Sequence, residues 1–250
     1  GLLASRLWPA EPLKARVQLT VGLGITHPSV LMHHSTGSSQ FADHVSRYQQ
    51  IIQSLLSSDL NVVCFTNGAG EDERFLRKLQ DEPNPSEKWR ERVKFSPRAA
   101  DPRDLARLIS QFDAVIAHRL HTNILAYSYK VPHIGLAWDP KLQAFFNSVG
   151  RSKFHITLDD PNSRSIASRV TEALEAGISA QMHSTTLDLS ADSIAKLAGT
   201  IVEASKLNVK TRNCHKAVST KLRLHPKRHQ LMPFRFLNGS HTTRQTGIYR

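Results

Sequence analysis

Cysteine, long apolar runs and glycine-rich phosphate-binding loops are scarce or missing in this sequence. The two cysteines, Cys64 and Cys214, lie far apart and form no CxxC pair, so free thiols are expected rather than a disulfide. No stretch approaches the roughly 18 consecutive apolar residues of a membrane-spanning helix, and the apolar part of the first residues is too short for a secretory signal. We therefore expect a cytoplasmic protein. Neither GxGxxG nor GxxxxGK(S/T) occurs, which argues against a conventional dinucleotide or nucleoside-triphosphate site.

Acidic residues are missing from the last part of the chain. From Lys206 to Arg250 there are eleven Lys or Arg residues and no Asp or Glu, whereas the preceding residues carry 22 basic and 21 acidic side chains. The formal net charge of +12 therefore comes almost wholly from this segment. Because the segment also lacks a regular apolar period, we expect residues 206–250 to form a disordered basic tail. The tail could contact nucleic acid or the anionic inner face of a membrane, or have no partner, and the sequence does not separate these interpretations. Nucleic acid is the less expected of the two partners.

Short apolar runs alternate with helical patterns between residues 16 and 205. Apolar residues at helical spacing predict the helices. One is expected to begin with Asp101 as N-cap and Pro102 as its first residue, and the last is expected to begin at Ser190 as N-cap. Such alternation is typical of an α/β fold with a Rossmann-like parallel sheet and helices on both faces. We expect one domain at residues 16–205, preceded by a leader at residues 1–15. The predicted strands are Val17–Gly24, Asn61–Thr66, Val93–Phe95, Ala114–Ala117, His133–Ala137 and Lys153–Leu158.

The most informative stretch runs from Phe112 to Gly150. Its buried strand at Ala114–Ala117 is followed directly by Arg119 and His121, and then by a helical pattern. The two side chains are therefore expected at the carboxyl end of a strand and the amino end of a helix. Open α/β sheets bind ligands at this edge, where free backbone N–H groups and the helix dipole favour an anion.

Two interpretations are open for each of these side chains. Arg119 could grip a carboxylate or phosphate with its guanidinium fork, or pair with a neighbouring acid to hold the sheet edge. His121 could act as a general acid or base, or bond a backbone carbonyl. His118 lies between them and the strand, but no Cys, Asp or Glu is nearby at ligand spacing, so no metal site is expected. His33 and His34, in a polar loop, could be functional or solvated.

Further polar candidates fall at the ends of other predicted elements. Asp139 is expected to cap the helix that Pro140 begins, which places Lys141 in the first turn of that helix. A cation in a first turn opposes the helix dipole, so we expect Lys141 to meet a phosphate. Asn67 and Gly68 end the second predicted strand and could approach a ligand through their backbone.

The run DAVIAHRLHTNILAYSYKVPHIGLAWDPKLQAFFNSVG resembles the signature of the polysaccharide pyruvyl transferases. That signature comprises a strand, an Arg-Leu-His turn, an Ala-rich helix, a proline-led strand and a Tyr-Asp-Pro-Lys-like segment, in which Trp138 here replaces the Tyr. Upstream, FTNGAGEDERFL resembles the family's second strand and acidic helix start. The resemblance extends from Val17 to Ala176 and is most specific in the central stretch.

This resemblance implies a fold similar to the C-terminal domain of a two-domain, GT-B-like transferase, with residues 1–15 as a remnant of the N-terminal domain. It implies transfer of pyruvate from phosphoenolpyruvate to two hydroxyls of a sugar in a cell-surface polysaccharide or a lipid-linked oligosaccharide precursor, giving a cyclic ketal and phosphate. Arg119, Leu120 and His121 would line the phosphoenolpyruvate site. His121 would move a proton, Lys141 would neutralise the departing phosphate, and no metal or organic cofactor would be needed.

Two other functions are compatible with the sequence. One is a glycosyltransferase that uses a nucleotide-sugar donor on the same kind of fold, which would need a carboxylate late in the domain to hold the donor; none stands out. The other is a non-catalytic binding module whose basic tail contacts nucleic acid or an anionic membrane. The three differ in the ligand that they should bind: phosphoenolpyruvate, a nucleotide sugar, or a polyanion.

Overall fold

The computed structural model describes residues 1–12, 17–32, 41–83, 86–157 and 165–222, with the backbone alone at residues 32, 41–43 and 206–222. His33 and His34 lie outside the described residues, as do residues 223–250 of the predicted tail. The strands are β1 Thr20–Gly24, β2 Asn61–Phe65, β3 Val93–Phe95, β4 Ala114–Ala117, β5 His133–Leu136 and β6 His155–Ile156. The helices are α1 Ala4–Leu7, α2 Pro28–Met32, α3 Phe41–Ser57, α4 Gly70–Asp81, α5 Glu87–Arg92, α6 Pro102–Ile109, α7 Leu120–Ser128, α8 Pro140–Ser148, α9 Ile166–Ala176 and α10 Ala180–Leu222.

The six strands form one sheet in the order β3-β2-β1-β4-β5-β6. Every neighbouring pair is parallel. The predicted Rossmann-like α/β fold is therefore confirmed. Parallel neighbours need crossover connections, and the helices between the strands provide them. The likeness to one domain of a GT-B-like transferase is compatible with this sheet and stays a prediction.

The sheet has a hydrophobic core on each face, because successive side chains along a strand point to opposite sides. In β4, Ala114 and Ile116 belong to one core, and Val115 and Ala117 to the other. The first core receives apolar side chains from α3, α4, α8 and α9. The second receives them from α1, α6 and α7. The strand runs are nearly all apolar, as expected for a sheet that is covered on both faces.

Helix α6 shows how local sequence signals define an element. Asp101 accepts hydrogen bonds from the backbone amides of Arg103 and Asp104 at 2.8 and 2.9 Å, and Pro102 is the first helical residue. This is the cap that the sequence predicts. Leu105 and Ile109 then lie one turn apart on the buried side of the helix.

Two predicted elements differ from the structure. The strand predicted at Lys153–Leu158 is a 3-10 turn at Ser152–Phe154 followed by the two-residue strand β6. The last helix does not begin at Ser190, because α10 starts at Ala180, and the Ser190 hydroxyl donates to the Thr186 carbonyl inside the helix.

The amino-terminal residues predicted as a leader pack against the domain. The backbone amide of Ser5 donates to the Ser128 hydroxyl at 3.0 Å, and that hydroxyl donates to the Leu2 carbonyl at 2.7 Å. The Tyr129 hydroxyl donates to the carbonyl of Trp8. Residues 1–8 are thus held on the carboxyl-terminal end of α7.

The chain divides into two compact units, Gly1–Lys196 and Leu197–Arg250. The first unit contains the whole sheet. The described part of the second unit is the carboxyl-terminal portion of α10, which continues to Leu222. The helix therefore extends into residues 206–222, which belong to the predicted disordered basic tail.

Candidate active site

The strand order of the sheet reverses at β1, which lies between β2 and β4. The crevice outside the carboxyl ends of β1 and β4 is the place where open α/β sheets bind ligands. The loops that meet there follow β1, β2, β4 and β5. These loops and the first turns of the helices that follow them contain the sequence-predicted site residues, which are Asn67 and Gly68 after β2, Arg119, Leu120 and His121 after β4, and Lys141 at the start of α8.

Arg119, the N-cap residue of α7, is bound to a carboxylate of α4. Its Nε lies 3.0 Å from Asp72 Oδ2, and its Nη2 lies 2.9 and 2.8 Å from Oδ1 and Oδ2. The Asp72 side chain is fully buried, while that of Arg119 keeps 24% of its surface exposed. The structure thus shows the ion pair that was one of the two interpretations of Arg119. The Nε–Nη2 edge of the guanidinium is therefore occupied by Asp72 and cannot bind a ligand in a bidentate way.

Asp72 connects three loops of the crevice. Besides Arg119 after β4, it accepts a hydrogen bond from the backbone amide of His27, after β1, at 2.8 Å. Asp72 itself lies in the first turn of α4, after β2, where the positive end of the helix dipole also favours its charge. One buried carboxylate therefore fixes the Arg-Leu-His turn relative to the two neighbouring strand ends.

The loop after β2 is held by internal hydrogen bonds. The backbone amide of Gly68 donates to Thr66 Oγ1 at 2.9 Å, and the Thr66 hydroxyl donates to the buried carboxylate of Glu73. Gly68 has a φ of +87°, which a residue with a side chain adopts only with strain. Asn67 Oδ1 accepts a hydrogen bond from the Thr122 hydroxyl. The Gly68 amide already has a protein partner, whereas Asn67 links this loop to the first turn of α7.

His121 and Asn67 share a cavity. The structure has a cavity of about 1070 Å³ in the Gly1–Lys196 unit, and both residues line it. His121 is exposed to solvent. The other lining residues are mostly apolar and come from residues 1–8, α6, α7 and α10, including Leu2, Leu105, Ile124, Leu189 and Ile194. Neither Arg119 nor Lys141 is among the described residues that line it.

Leu120 and Lys141 occupy different environments. Leu120 is partly buried and packs against the hydrophobic core. Lys141 is exposed in the first turn of α8, and its backbone amide donates to the side chain of Asp139 at 2.6 Å. The predicted cap is therefore confirmed, and Lys141 lies in a helix start at the carboxyl edge of the sheet, after the end of β5.

His118 is buried between β4 and β5. Its Nδ1 lies 3.1 Å from the Leu136 carbonyl, and its own carbonyl accepts a hydrogen bond from the indole N–H of Trp138. Burial lowers the pKa of His118 from 6.5 to about 4, although the bond to Leu136 acts in the opposite direction. The ring is therefore neutral near pH 7. Trp138 supplies the donor that ties the end of β5 to the end of β4.

Two residues of the site, Asp72 and Asn123, are not predicted from the sequence. Asp72 is the more important, and its acidic context in Glu71-Asp72-Glu73 indicates only a favourable helix start. Asn123 is fully buried; its Nδ2 donates to the carbonyls of Ala117 and Arg119, and its Oδ1 has no partner among the described residues. Asn123 thereby closes the turn that holds Arg119.

Comparison with known families explains the pattern. A family model for polysaccharide pyruvyl transferases matches residues 4–140. This is more than half of the chain and includes Asp72, Arg119 and His121. The chain belongs to the polysaccharide pyruvyl transferase family. No curated protein matches the sequence.

Membership of the family implies that this is a transferase which places pyruvyl groups on a polysaccharide. The match ends at Pro140, so it covers β1 to β5 and the turn at Arg119-Leu120-His121. Among the described residues, no group of three or more His, Cys, Asp or Glu side chains is arranged to hold a metal ion.

Proposed function

We propose that this pyruvyl transferase takes pyruvate from phosphoenolpyruvate and attaches it to two hydroxyls of one sugar as a cyclic ketal. The acceptor would be a sugar of a cell-surface polysaccharide or of its lipid-linked precursor. The observation that carries the proposal is the position of the Arg-Leu-His turn. It lies at the carboxyl end of β4, beside the reversal of strand order, in a chain of this family.

The proposed chemistry has two steps. In the first, a proton adds to the methylene carbon of phosphoenolpyruvate and a sugar hydroxyl adds to its C2, so that the enol becomes a methyl-bearing ketal carbon. In the second, a second hydroxyl of the sugar displaces phosphate from the same carbon and loses its proton. An imidazole, which can both donate and accept a proton, suits both steps. His121, exposed at the cavity edge, is the residue that we assign to this role.

Arg119 is assigned to one anionic group of the donor. Its Nε and Nη2 are occupied by Asp72, so Nη1 is the part of the guanidinium left for a ligand. No hydrogen bond from Nη1 is found within the described residues. Asp72 then acts as a positioning residue, because it holds the guanidinium plane in one orientation. The pair is neutral overall, so further positive charge is needed to balance the phosphate and the carboxylate of the donor.

Lys141 is the proposed source of that charge. It is exposed in the first turn of α8, where it would meet the departing phosphate together with the helix amides. Asn67 is assigned to the acceptor side, since it lines the same cavity as His121. Binding roles for Leu120 and Gly68 stay predictions. The scheme uses no metal ion and no organic cofactor.

The test is an assay of turnover of phosphoenolpyruvate with a galactoside or a mannoside. Phosphate release and the NMR signal of the ketal methyl group are the two measurements. We expect His121→Ala to lower kcat by about 100-fold or more, the usual contribution of a general acid or base. Arg119→Lys keeps the charge but loses the planar fork, and should mainly raise KM for phosphoenolpyruvate. Gln143→Ala, an exposed change two residues beyond Lys141, is the control that should leave both constants unchanged.

Activity that survives both His121→Ala and Arg119→Ala would contradict the site assignment. Turnover of a nucleotide sugar without turnover of phosphoenolpyruvate would replace the proposal by the glycosyltransferase alternative. A rise in melting temperature with phosphoenolpyruvate but no product would support a donor-binding domain that needs a further part for transfer, because a ligand that binds the native state stabilises it.

A further inference from the structure

The second compact unit has an apolar face that its own described residues do not cover. Leu197, Ile201 and Val202 lie in α10 and expose 61%, 56% and 52% of their surface. A spacing of four residues places Leu197 and Ile201 one turn apart on the same side of the helix, and Val202 adjoins Ile201 at the edge of this face. Three large aliphatic residues more than half exposed on one helix face point to a partner surface rather than to scattered surface apolar residues.

The charge of this unit is almost entirely positive. Residues 197–250 contain eleven Lys or Arg residues and one acidic residue, Glu203, which gives a net charge of +10. An acidic surface is therefore the electrostatic complement of the unit. The partner must combine negative charge with an apolar layer that can take Leu197, Ile201 and Val202.

We infer that the carboxyl-terminal part of α10 docks on the surface of an anionic lipid bilayer. A helix of this kind lies in the interface, with its aliphatic side chains at the boundary of the acyl chains and its basic groups near the lipid phosphates. None of the helices in the described residues combines the length and the apolar character needed to cross a bilayer. The helix would lie on the membrane and not span it.

A membrane accounts for the helix better than nucleic acid does. Nucleic acids are bound by basic groups and by aromatic side chains that stack on the bases. Residues 197–222 contain no Phe, Tyr or Trp. Exposed Leu197, Ile201 and Val202 would gain nothing from a phosphate backbone. Stable attachment to a membrane surface takes two signals together, and here apolar side chains and a basic segment lie in one unit.

The experiment is co-sedimentation of the full chain with two kinds of vesicle, one of phosphatidylcholine alone and one that also contains phosphatidylglycerol. We expect binding to the second kind, weakened by added salt because the lipid charges are screened. Leu197→Asp with Ile201→Asp should weaken this binding by about tenfold or more, since two apolar side chains no longer enter the acyl boundary.

The matched control is Gly199→Asp. It adds one negative charge to the same helix at a position where a new Cβ meets no atom within 4 Å. It removes no apolar side chain, so binding should weaken by about fivefold at most, the effect of one charge near an anionic surface, and by less as added salt screens that charge. Leu197→Ala with Ile201→Ala, which preserves helix propensity, repeats the apolar test if the Asp pair unfolds the helix.

Three results would overturn the inference. One is the absence of binding to the anionic vesicles. Another is equal binding by the unchanged chain and the Ala pair, which would leave the apolar face without a role. The third is a different partner without vesicle binding, either a duplex oligonucleotide or a second copy of the chain, detected as a concentration-dependent mass in sedimentation. Phosphoenolpyruvate turnover is measured separately, so its outcome does not affect this one.

Discussion

Two nitrogen atoms of Arg119, Nε and Nη2, donate hydrogen bonds to one buried carboxylate, that of Asp72. The bidentate bond to Asp72, with distances of 2.8 to 3.0 Å, compensates the negative charge of this buried carboxylate and gives the guanidinium one orientation. A buried charge pair of this kind adds little to stability as a whole, but the loss of one partner is costly. We therefore expect Asp72 to act on catalysis through Arg119.

A double-mutant cycle measures the coupling between Asp72 and Arg119 in catalysis. Asp72→Asn and Arg119→Gln should each lower kcat/KM for phosphoenolpyruvate, and the double variant should lose much less than the sum, with a coupling of about 1 kcal/mol or more. Glu71→Gln combined with Arg119→Gln is the control cycle, because Glu71 is an exposed neighbour paired with Arg74. Additive losses in the Asp72 cycle would leave that residue with a structural role only.

The sequence predicts part of this site. It places Arg119 and His121 at a strand end, because an apolar run followed by polar residues marks that position. It cannot choose Asp72 from Glu71-Asp72-Glu73, because the choice depends on the rotation of α4 about its axis once the helix packs on the sheet. The burial of Asp72 is fixed by that rotation.

The close contact between strand β1 and the ring of Phe112 explains why β1 has a glycine at position 22. Gly22 lies in β1 beside the ring of Phe112, and a Cβ at that position would lie 2.2 Å from Phe112 Cδ2. No side chain fits there unless the ring moves. The short connection from α6 into β4 places Phe112 against the face of β1.

We therefore expect Gly22→Ala to destabilise the native state by about 1–3 kcal/mol through overpacking. Urea unfolding followed by circular dichroism measures the change. Gly199→Ala is the comparison, since open space surrounds that position in a helix and the change should be neutral or stabilising by about 0.5–1 kcal/mol. Phe112→Leu should recover part of the loss in Gly22→Ala; a pair that is no better than Gly22→Ala alone would contradict the assignment of strain to this ring.

Helix α10 shows where element prediction from sequence is wrong. Ser190 has the residue type of an N-cap, and an apolar period follows it, so the sequence predicts a helix start there. The helix begins ten residues earlier in the chain, at Ala180. His183 contacts the Ser128 carbonyl at 3.0 Å and Leu187 is buried, so contacts with distant residues stabilise the first turns. The helix propensity of the local sequence does not reflect those contacts, so it cannot predict the start at Ala180.

At the scale of the whole molecule, buried neutral histidines make the fold sensitive to acid. Burial lowers the pKa of His118 to about 4 and that of His133 to about 3, from an ordinary 6.5. The unfolded chain therefore binds protons at these sites at a higher pH than the native protein does. The stability that they contribute is complete above about pH 6.5 and is lost as the pH falls toward the native pKa values.

We expect the free energy of unfolding to fall by about 4 kcal/mol between pH 7 and pH 5, since each of the two histidines contributes up to about 1.4 kcal/mol for each pH unit below the ordinary value of 6.5. Urea unfolding at the two pH values measures it. His118→Gln removes one of the two groups and should reduce the pH dependence by about half. An unchanged difference in that variant would show that other groups cause the acid sensitivity.

Four features of this protein follow from its amino-acid sequence: the fold class, the strand β4 from Ala114 to Ala117, the caps at Asp101 and Asp139, and the family. These depend on local patterns of apolar residues, capping side chains and a contiguous motif. Tertiary structure alone decided the strand order, the pairing of Arg119 with Asp72 across 47 positions, and the shared cavity of Asn67 and His121. Each of these joins residues that are distant in the chain, and only the packing of helices on a completed sheet brings them into contact.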